Sequence, residues 1–184
     1  KLADVTIDYE AIEQTGKVSY QDEAGNEVSS TSISGKTGST VKIAPIAPAG
    51  WKIVPGQVIP ETVVATAEGI STVVVKIEHD TITVKPGETA PSGPVPGDSS
   101  KNYEEMARLI SQPTRTIIIA KPDGSQQIIT QTVEFTRTAT FDEVTGKITY
   151  SNWIASTGQD TWAAYTPEVV PGYTADKAVD AQTV

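Results

Sequence analysis

Residues 128–150 read IITQTVEFTRTATFDEVTGKITY, and this stretch decides what kind of structure the chain forms. Its odd-numbered positions from 129 to 141 are apolar except for Gln131 and Arg137, while its even-numbered positions from 130 to 140 are threonines and one glutamate. Strict alternation of this length is typical of a β-strand with one buried side and one solvent-facing side. Residues 142–146 interrupt the alternation before residues 147–153 resume it, which predicts a β-hairpin.

Similar alternation predicts strands elsewhere in the chain. Residues 4–9 alternate through Val5, Ile7 and Tyr9, and residues 15–20 repeat the pattern. Further strands are predicted at 28–34, 41–43, 62–65, 71–77, 81–85 and 114–120. The stretch 86–97 contains four prolines and three glycines, so we expect it to form an irregular loop.

One segment has the periodicity of a helix. Tyr103, Met106, Ala107 and Ile110 fall on one helical face. Asn102 and Glu105 have the spacing of a capping box, and Pro113 would end the helix. The sequence therefore predicts a short helix at about 102–112 and, with the strands, a β-rich α+β fold.

Composition excludes several classes of protein. Fourteen basic and 23 acidic residues give a formal net charge of −9, which disfavours nucleic acid and anionic lipid as partners. The chain has no cysteine, so disulfides, thiolate nucleophiles and cysteine-bound metals are excluded. No apolar run approaches the ~18 residues of a membrane span, and no signal peptide or sorting signal is present. We therefore predict no membrane insertion and expect a segment of a longer protein.

An internal echo indicates two related modules. TGKVSY at 15–20 matches TGKITY at 145–150, PAGW at 48–51 resembles PGY at 171–173, and ETV at 61–63 resembles QTV at 182–184. The three echoes occur in the same order, as expected of stacked modules in an array. We place the first module at 1–78 and the second at 79–184, with 86–97 as an internal loop of the second.

The same motifs resemble a known family. TGKVSYQDEAGNE, SGKTGS and the following GW resemble the mucus-binding, MucBP-type domain of bacterial surface adhesins. QTVEFTRTATFDEVTGKITY, with DTWAAYTP and PGYT, resembles the second half of the repeat found in mucus-binding proteins of lactobacilli. Trp51 stands where the family more often has tyrosine. The resemblance covers nearly the whole chain.

The resemblance implies a cell-wall-anchored, extracellular adhesin of a Gram-positive bacterium, built from tandem repeats. It also implies two tandem ubiquitin-like β-grasp modules, and we expect them to form an elongated rod. Host mucin glycans, and neighbouring repeats in the same chain, would be the partners. The anchoring signal would lie outside this segment.

No catalytic constellation is visible in the sequence. The single histidine, His79, has no recognisable nucleophile to activate, and the carboxylate pairs at 22–23 and 142–143 lie beside turns, where solvated side chains are expected. We predict that the chain is not an enzyme and requires no cofactor. A structural calcium ion remains an open alternative at four acidic residues, namely Asp22, Glu23, Glu78 and Asp80.

The candidate binding residues are aromatic or threonine side chains. Sugars and protein partners both contact exposed tryptophan and tyrosine rings, although such rings also fill the cores of small β domains. The candidates are Trp51, Trp153, Trp162, Tyr165, Tyr173, Thr132, Thr136 and Thr138. Three roles stay open: an adhesin repeat that binds mucin glycans, a module that binds immunoglobulin through a sheet edge or face, and a structural spacer.

Overall fold

The computed structural model describes residues 3–184, and that part of the chain is built of β-strands and connecting turns, with no helix. It therefore holds no helix long and apolar enough to cross a membrane. The strands of the first half are β1 (Glu13–Gln21), β2 (Glu27–Lys36), β3 (Thr40–Lys42), β4 (Trp51–Ile53), β5 (Thr62–Val64), β6 (Val73–His79), β7 (Thr81–Val84), β8 (Pro94–Val95) and β9 (Asp98–Asn102). Those of the second half are β10 (Ile110–Ser111), β11 (Thr114–Ala120), β12 (Gln126–Thr132), β13 (Phe135–Thr136), β14 (Ala139–Asp142), β15 (Ile148–Tyr150), β16 (Ile154–Ala155), β17 (Thr161–Trp162) and β18 (Gln182–Thr183).

The described chain divides into two compact units. The first contains the chain up to Thr81 together with Pro94–Asn102 and Asp142–Gly146. The second contains Ile82–Gly93, Tyr103–Phe141 and Lys147–Val184. The chain thus passes between the units more than once, and the single boundary near residue 79 stays a prediction.

The first unit is organised around a four-stranded sheet of order β2-β1-β6-β4. β1 pairs antiparallel with β2 and parallel with β6, and β6 pairs antiparallel with β4. Alternate residues of β1 and β6 enter the core, because successive side chains of a strand point to opposite faces. The buried cluster consists of Val18, Tyr20, Ile43, Val73, Val75 and Ile77. The Tyr20 hydroxyl accepts a hydrogen bond from the Ile46 backbone N–H at 2.9 Å, so the buried ring also holds the following loop.

The second unit contains small sheets around another core. Their orders are β15-β14-β7, β10-β13-β16, β11-β12 and β17-β18. Val84, Leu109, Ala139 and Phe141 form the buried cluster, and Tyr103 packs its ring edge-on against Phe141 at 5.8 Å between centroids. The long alternating stretch supplies two of these four core residues.

The predicted inside-outside pattern of residues 128–150 is present, but the strand is not continuous. Val133, Ala139 and Phe141 are buried, as the alternation predicts. The stretch is divided into β12, β13 and β14, and β14 then forms the predicted hairpin with β15, in which Phe141 lies opposite Ile148. Because each short strand pairs with a different partner, the stretch contributes to three sheets.

The predictions of an α+β fold and of β-grasp modules are wrong, because residues 102–112 form no helix. Asn102 ends β9, and the following residues run without regular structure to β10. Tertiary hydrogen bonds replace the helical ones: the Tyr103 N–H donates to Gly93 O, and the Ala107 N–H donates to the Tyr150 hydroxyl. An isolated helix of three turns is marginal in water, so these contacts outweigh its intrinsic preference.

Residues 4–9 also depart from prediction. Despite their alternation they form no strand. Val5, Ile7 and Tyr9 are 85%, 76% and 96% exposed.

One pair of the echoed motifs shares a local turn geometry. Gly50 and Gly172 both have positive φ, at 78° and 82°, in turns that precede Trp51 and Tyr173. The first turn leads directly into β4, which pairs with β6, whereas Tyr173 lies in no strand. Further along, β5 pairs antiparallel with β3 and β18 with β17. The division into two related modules stays a prediction.

Candidate functional site

The five candidate aromatic residues occupy four different environments. Trp51 belongs to the first unit, whereas Trp153, Trp162, Tyr165 and Tyr173 belong to the second. Of these, the structure brings Tyr165 and Tyr173 together in one cleft.

Trp51 is engaged in contacts within the first unit. It is half-buried on β4 and packs against the core cluster of the first unit. Its ring meets the His79 ring edge-on, at 4.5 Å between centroids. His79 Nδ1 in turn lies 2.7 Å from Asp142 Oδ2. Trp51 therefore supports a polar contact at the edge of its sheet.

Asp142 is the most fully engaged carboxylate of this region. Its Oδ1 accepts hydrogen bonds from the backbone N–H groups of Val144 and Thr145, each at 2.8 Å. Partial burial raises the pKa of Asp142, but the bond to His79 and those to Thr145 and Val144 together hold the pKa below its ordinary value. The arrangement fixes the turn between β14 and β15. It offers no nucleophile and no cleft, so we assign it a structural role.

The cleft of the second unit has a volume of about 360 Å³. One wall comes from the end of the β11-β12 hairpin, and the other from the segment that follows Tyr165. The lining residues are Ile119, Ala120, Lys121, Pro122, Gln127, Tyr165, Pro167, Glu168, Val170, Tyr173, Thr174 and Ala175. Tyr173 is 63% exposed, and Tyr165 is half-buried. We refer to this feature as the tyrosine cleft.

Local turns position both tyrosines of the cleft. The Tyr165 and Val179 backbones exchange hydrogen bonds of 2.8 and 2.9 Å, which close the segment between them into a loop. Within that loop the Tyr173 N–H donates to Val170 O at 3.0 Å. Gly172 has a φ of 82°, which β-carbon-bearing residues adopt only with strain. Tyr173 thus lines the cleft while staying largely exposed.

Arg115 fastens this loop to the hairpin. Its guanidinium donates to Gln131 Oε1 at 2.6 and 3.0 Å, to Ala163 O at 2.7 Å and to Asp180 O at 2.8 Å. Gln131 also donates to Ala163 O at 2.9 Å. Trp162 lies beneath, with its ring centroid 5.7 Å from Arg115 Cζ. Trp162 is thus part of this anchor, and its indole N–H is buried without a hydrogen-bond partner in the described part of the chain.

Trp153 belongs to a separate cluster. Arg137 Cζ lies 3.9 Å from the Tyr150 ring centroid and 4.5 Å from that of Trp153. Arg137 Nε also donates to Arg108 O at 3.1 Å. The guanidinium is therefore held by two rings and a carbonyl, while Trp153 remains 37% exposed.

The three candidate threonines do not form one continuous face. Thr132 is exposed on β12 opposite Thr114, whereas Thr136 and Thr138 are half-buried. The outer face of the hairpin carries a feature that the sequence prediction missed: Ile118 and Ile128 lie directly opposite each other and are 61% and 64% exposed. The sequence signal was available, because Ile118 and Ile128 lie in stretches that alternate between buried and exposed positions.

The four acidic residues considered for calcium do not form one cluster among residues 3–184. Asp22 accepts hydrogen bonds from the Asn26 side chain and backbone, which lower its pKa. Glu78 pairs with Lys52 at 3.6 Å, and Asp80 accepts the Thr81 N–H at 2.9 Å. Among residues 3–184, no three acidic or histidine side chains converge in the manner of a metal site.

Comparisons with known proteins give one match to a family model, over the second half of the chain, and two similar solved structures. Residues 105–184 match the model of the Muc B2-like domain. The crystal structure of Mub-RV is similar at 23% identity, over 93% of this chain and 90% of that one, with a TM-score of 0.54. The type 2 repeat of the mucus binding protein MUB from Lactobacillus reuteri has 18% identity over the same shares and a TM-score of 0.36. No curated protein matches. The resemblance read from the sequence is therefore confirmed for residues 105–184, and the likeness to Mub-RV concerns the fold.

Proposed function

We propose that this chain, whose residues 105–184 match the model of the Muc B2-like domain, is an adhesin repeat that binds the glycans of host mucin through the tyrosine cleft. The observation that carries the proposal is the pairing of Tyr165 and Tyr173 in one open cleft of about 360 Å³. We further propose that the repeat is extracellular and anchored to the cell wall of a Gram-positive bacterium through sequence outside residues 1–184.

The chemistry of the cleft suits a saccharide. The C–H face of a pyranose ring packs against an aromatic ring, and the exposed Tyr173 lines the cleft. Lys121, Gln127 and Glu168 offer donors and acceptors at the walls for sugar hydroxyls. One such contact gives weak binding. Tandem copies raise the effective concentration of the second site, so the array binds more tightly than one repeat.

The experiment compares the wild-type chain with Tyr173→Ala on immobilised mucin and on a glycan array. Loss of one stacking contact predicts about a fivefold or greater loss of affinity. The matched control is Tyr9→Ala, which removes a tyrosine that is 96% exposed and lies outside the cleft. Enzymatic removal of mucin glycans should abolish wild-type binding. Equal binding by the two variants, or binding that survives deglycosylation, refutes the glycan proposal.

One observation favours a second candidate, recognition of a protein partner such as immunoglobulin. β11 and β12 pair only with each other among the described strands, and each offers a free edge of seven residues. Such an edge can accept a strand from another protein. Pull-down of immunoglobulin by the wild-type chain, weakened by Thr130→Pro within β12, would support it. Thr157→Pro, in an exposed loop, is the control. If the chain captures no immunoglobulin at micromolar concentration, this second candidate is rejected. If the chain also fails to bind mucin, the role of a structural spacer is the one that remains.

A further inference from the structure

We propose that residues 3–10 of one copy of the chain dock into a groove beside Trp153 of a second copy, so that neighbouring repeats make a specific contact. The groove, here called the Trp153 groove, has a volume of about 290 Å³. It is lined by Arg108, Ser111, Pro113, Phe135, Trp153 and Val184. This inference concerns contacts between copies and is independent of the tyrosine cleft.

Segment 3–10 has the properties of a strand without a partner. Its alternation places Val5, Ile7 and Tyr9 on one side. These side chains are 76–96% exposed, and the segment pairs with no strand of residues 3–184. Contiguous exposure of large apolar side chains marks an interaction surface. The segment therefore presents apolar side chains that the rest of residues 3–184 does not cover.

The Trp153 groove offers such a surface. Four of its six lining residues are apolar, namely Pro113, Phe135, Trp153 and Val184. Trp153 is held in place by its contact with Arg137 and remains 37% exposed. The groove therefore offers an apolar lining that is open to a partner.

Charge makes the match directional. Segment 3–10 carries Asp4, Asp8 and Glu10 and no basic residue. The groove is lined by the exposed Arg108 and by no acidic residue, although Glu134 lies near it, bound to Gln112 and Ser156. Two copies that each carry a net charge of −9 repel one another. A local pairing of carboxylates with Arg108 therefore favours this orientation over others.

The position of Val184 makes the contact accessible in a tandem arrangement. Val184 lines the groove, so in a chain with two copies joined from Val184 to Lys1 the second copy begins at the groove of the first. Eight extended residues span roughly 26 Å, enough to cross a groove of this size. The contact therefore requires no long linker.

The test uses this two-copy chain, which contains no native cysteine. Ser111→Cys in the first copy and Ile7→Cys in the second report docking as disulfide formation under mild oxidation. The control replaces Ile7→Cys by Val58→Cys, whose position is 97% exposed and outside the segment. We expect the Ile7 pair to form at least about fivefold faster, because docking raises the effective concentration of the two thiols.

Charge reversal tests the specificity of the contact. Arg108→Glu in the first copy should slow the Ile7 pair by about three- to tenfold, and Asp4→Lys with Asp8→Lys in the second copy should restore the rate. Equal rates for the Ile7 and Val58 pairs, or rates insensitive to Arg108→Glu, overturn the inference. If Ser111→Cys prevents folding, a labelled peptide of residues 3–12 is titrated against the chain and its Arg108→Glu variant, each with a short neutral C-terminal extension that moves the α-carboxylate away from Val184 in the groove. Equal or absent binding overturns the inference, and weaker binding to the variant supports it.

Discussion

Arg115→Met should release the loop that forms the tyrosine cleft without unfolding the first unit. Arg115 is the residue through which the hairpin holds both ends of that loop, because its guanidinium reaches Ala163 O and Asp180 O as well as Gln131. Methionine keeps a long apolar side chain over Trp162 but removes every one of these donors. The change therefore tests the anchor rather than the packing.

The magnitude follows from the contacts. Arg115 makes four hydrogen bonds to three acceptors and one cation–π contact. Hydrogen bonds to a charged group stabilise by about 1.5–3 kcal/mol each when shielded from water. Water replaces the exposed ones on mutation, and the effects are not additive. We therefore expect the free energy of local opening to fall by about 2–3 kcal/mol, within the range of a strongly destabilising substitution.

Amide hydrogen exchange measures this opening directly. The Tyr165 and Val179 amides, which bond across the base of the loop, should exchange about 30- to 150-fold faster in Arg115→Met. Amides of β1 and β6 should be unchanged. The control is Arg108→Met, which removes an exposed arginine that makes none of these bonds. Unchanged exchange at Tyr165 and Val179, or equal acceleration in β6, would refute the reasoning.

Four other outcomes are expected. Hydrogen bonds hold the pKa of Asp142 below 3.8, its usual value. The stability that Asp142 contributes is therefore complete above pH 3.8 and is lost as the pH falls through the lower pKa of the folded state. Thermal melts from pH 7 to 2 should show a steeper loss of stability in acid for the wild type than for Asp142→Asn. Arg137→Met should lower stability by about 1–2 kcal/mol and change Trp153 fluorescence, because it removes two cation–π contacts; an unchanged denaturation midpoint would argue against it. Gly50→Ala should lower the melting temperature far more than Gly56→Ala. Both glycines have positive φ, but only at Gly50 would the new Cβ lie 2.5 Å from a backbone atom. Equal shifts of the melting temperature would contradict this. Addition of EDTA or calcium should leave the melting temperature unchanged, and a calcium-dependent shift would restore the metal hypothesis.

The strand pattern could be predicted because burial in a sheet depends on a local period of two. Val133, Ala139 and Phe141 are buried as their odd positions require. The division of the stretch into three strands could not be predicted, because it depends on which partners the chain brings alongside. β13, for example, is only two residues long and pairs with β10 and β16.

The helix prediction was wrong for a related reason. Tyr103 and Met106 are partly buried, as the helical stripe requires, but Ala107 and Ile110 are exposed and Leu109 is buried instead. Burial thus recurs at every third residue, from 103 to 109. The Glu104 carboxylate accepts the Ile148 N–H at 3.0 Å, so this segment lies alongside β15. A local pattern of apolar residues cannot distinguish this arrangement from a short helix.

The most informative residues of the opening stretch are the two that break its pattern. Gln131 and Arg137 occupy positions where apolar side chains are expected, and a polar group on the inward side of a strand needs partners there. Each has them: Gln131 binds Arg115 beside Trp162, and Arg137 lies against Tyr150 and Trp153. The first cluster holds the tyrosine cleft and the second supports the Trp153 groove. A polar residue on the inward side of the stretch therefore lies next to the tyrosine cleft and another lies next to the Trp153 groove. In both places the partners of the polar side chain hold a less regular segment of the chain against the strand.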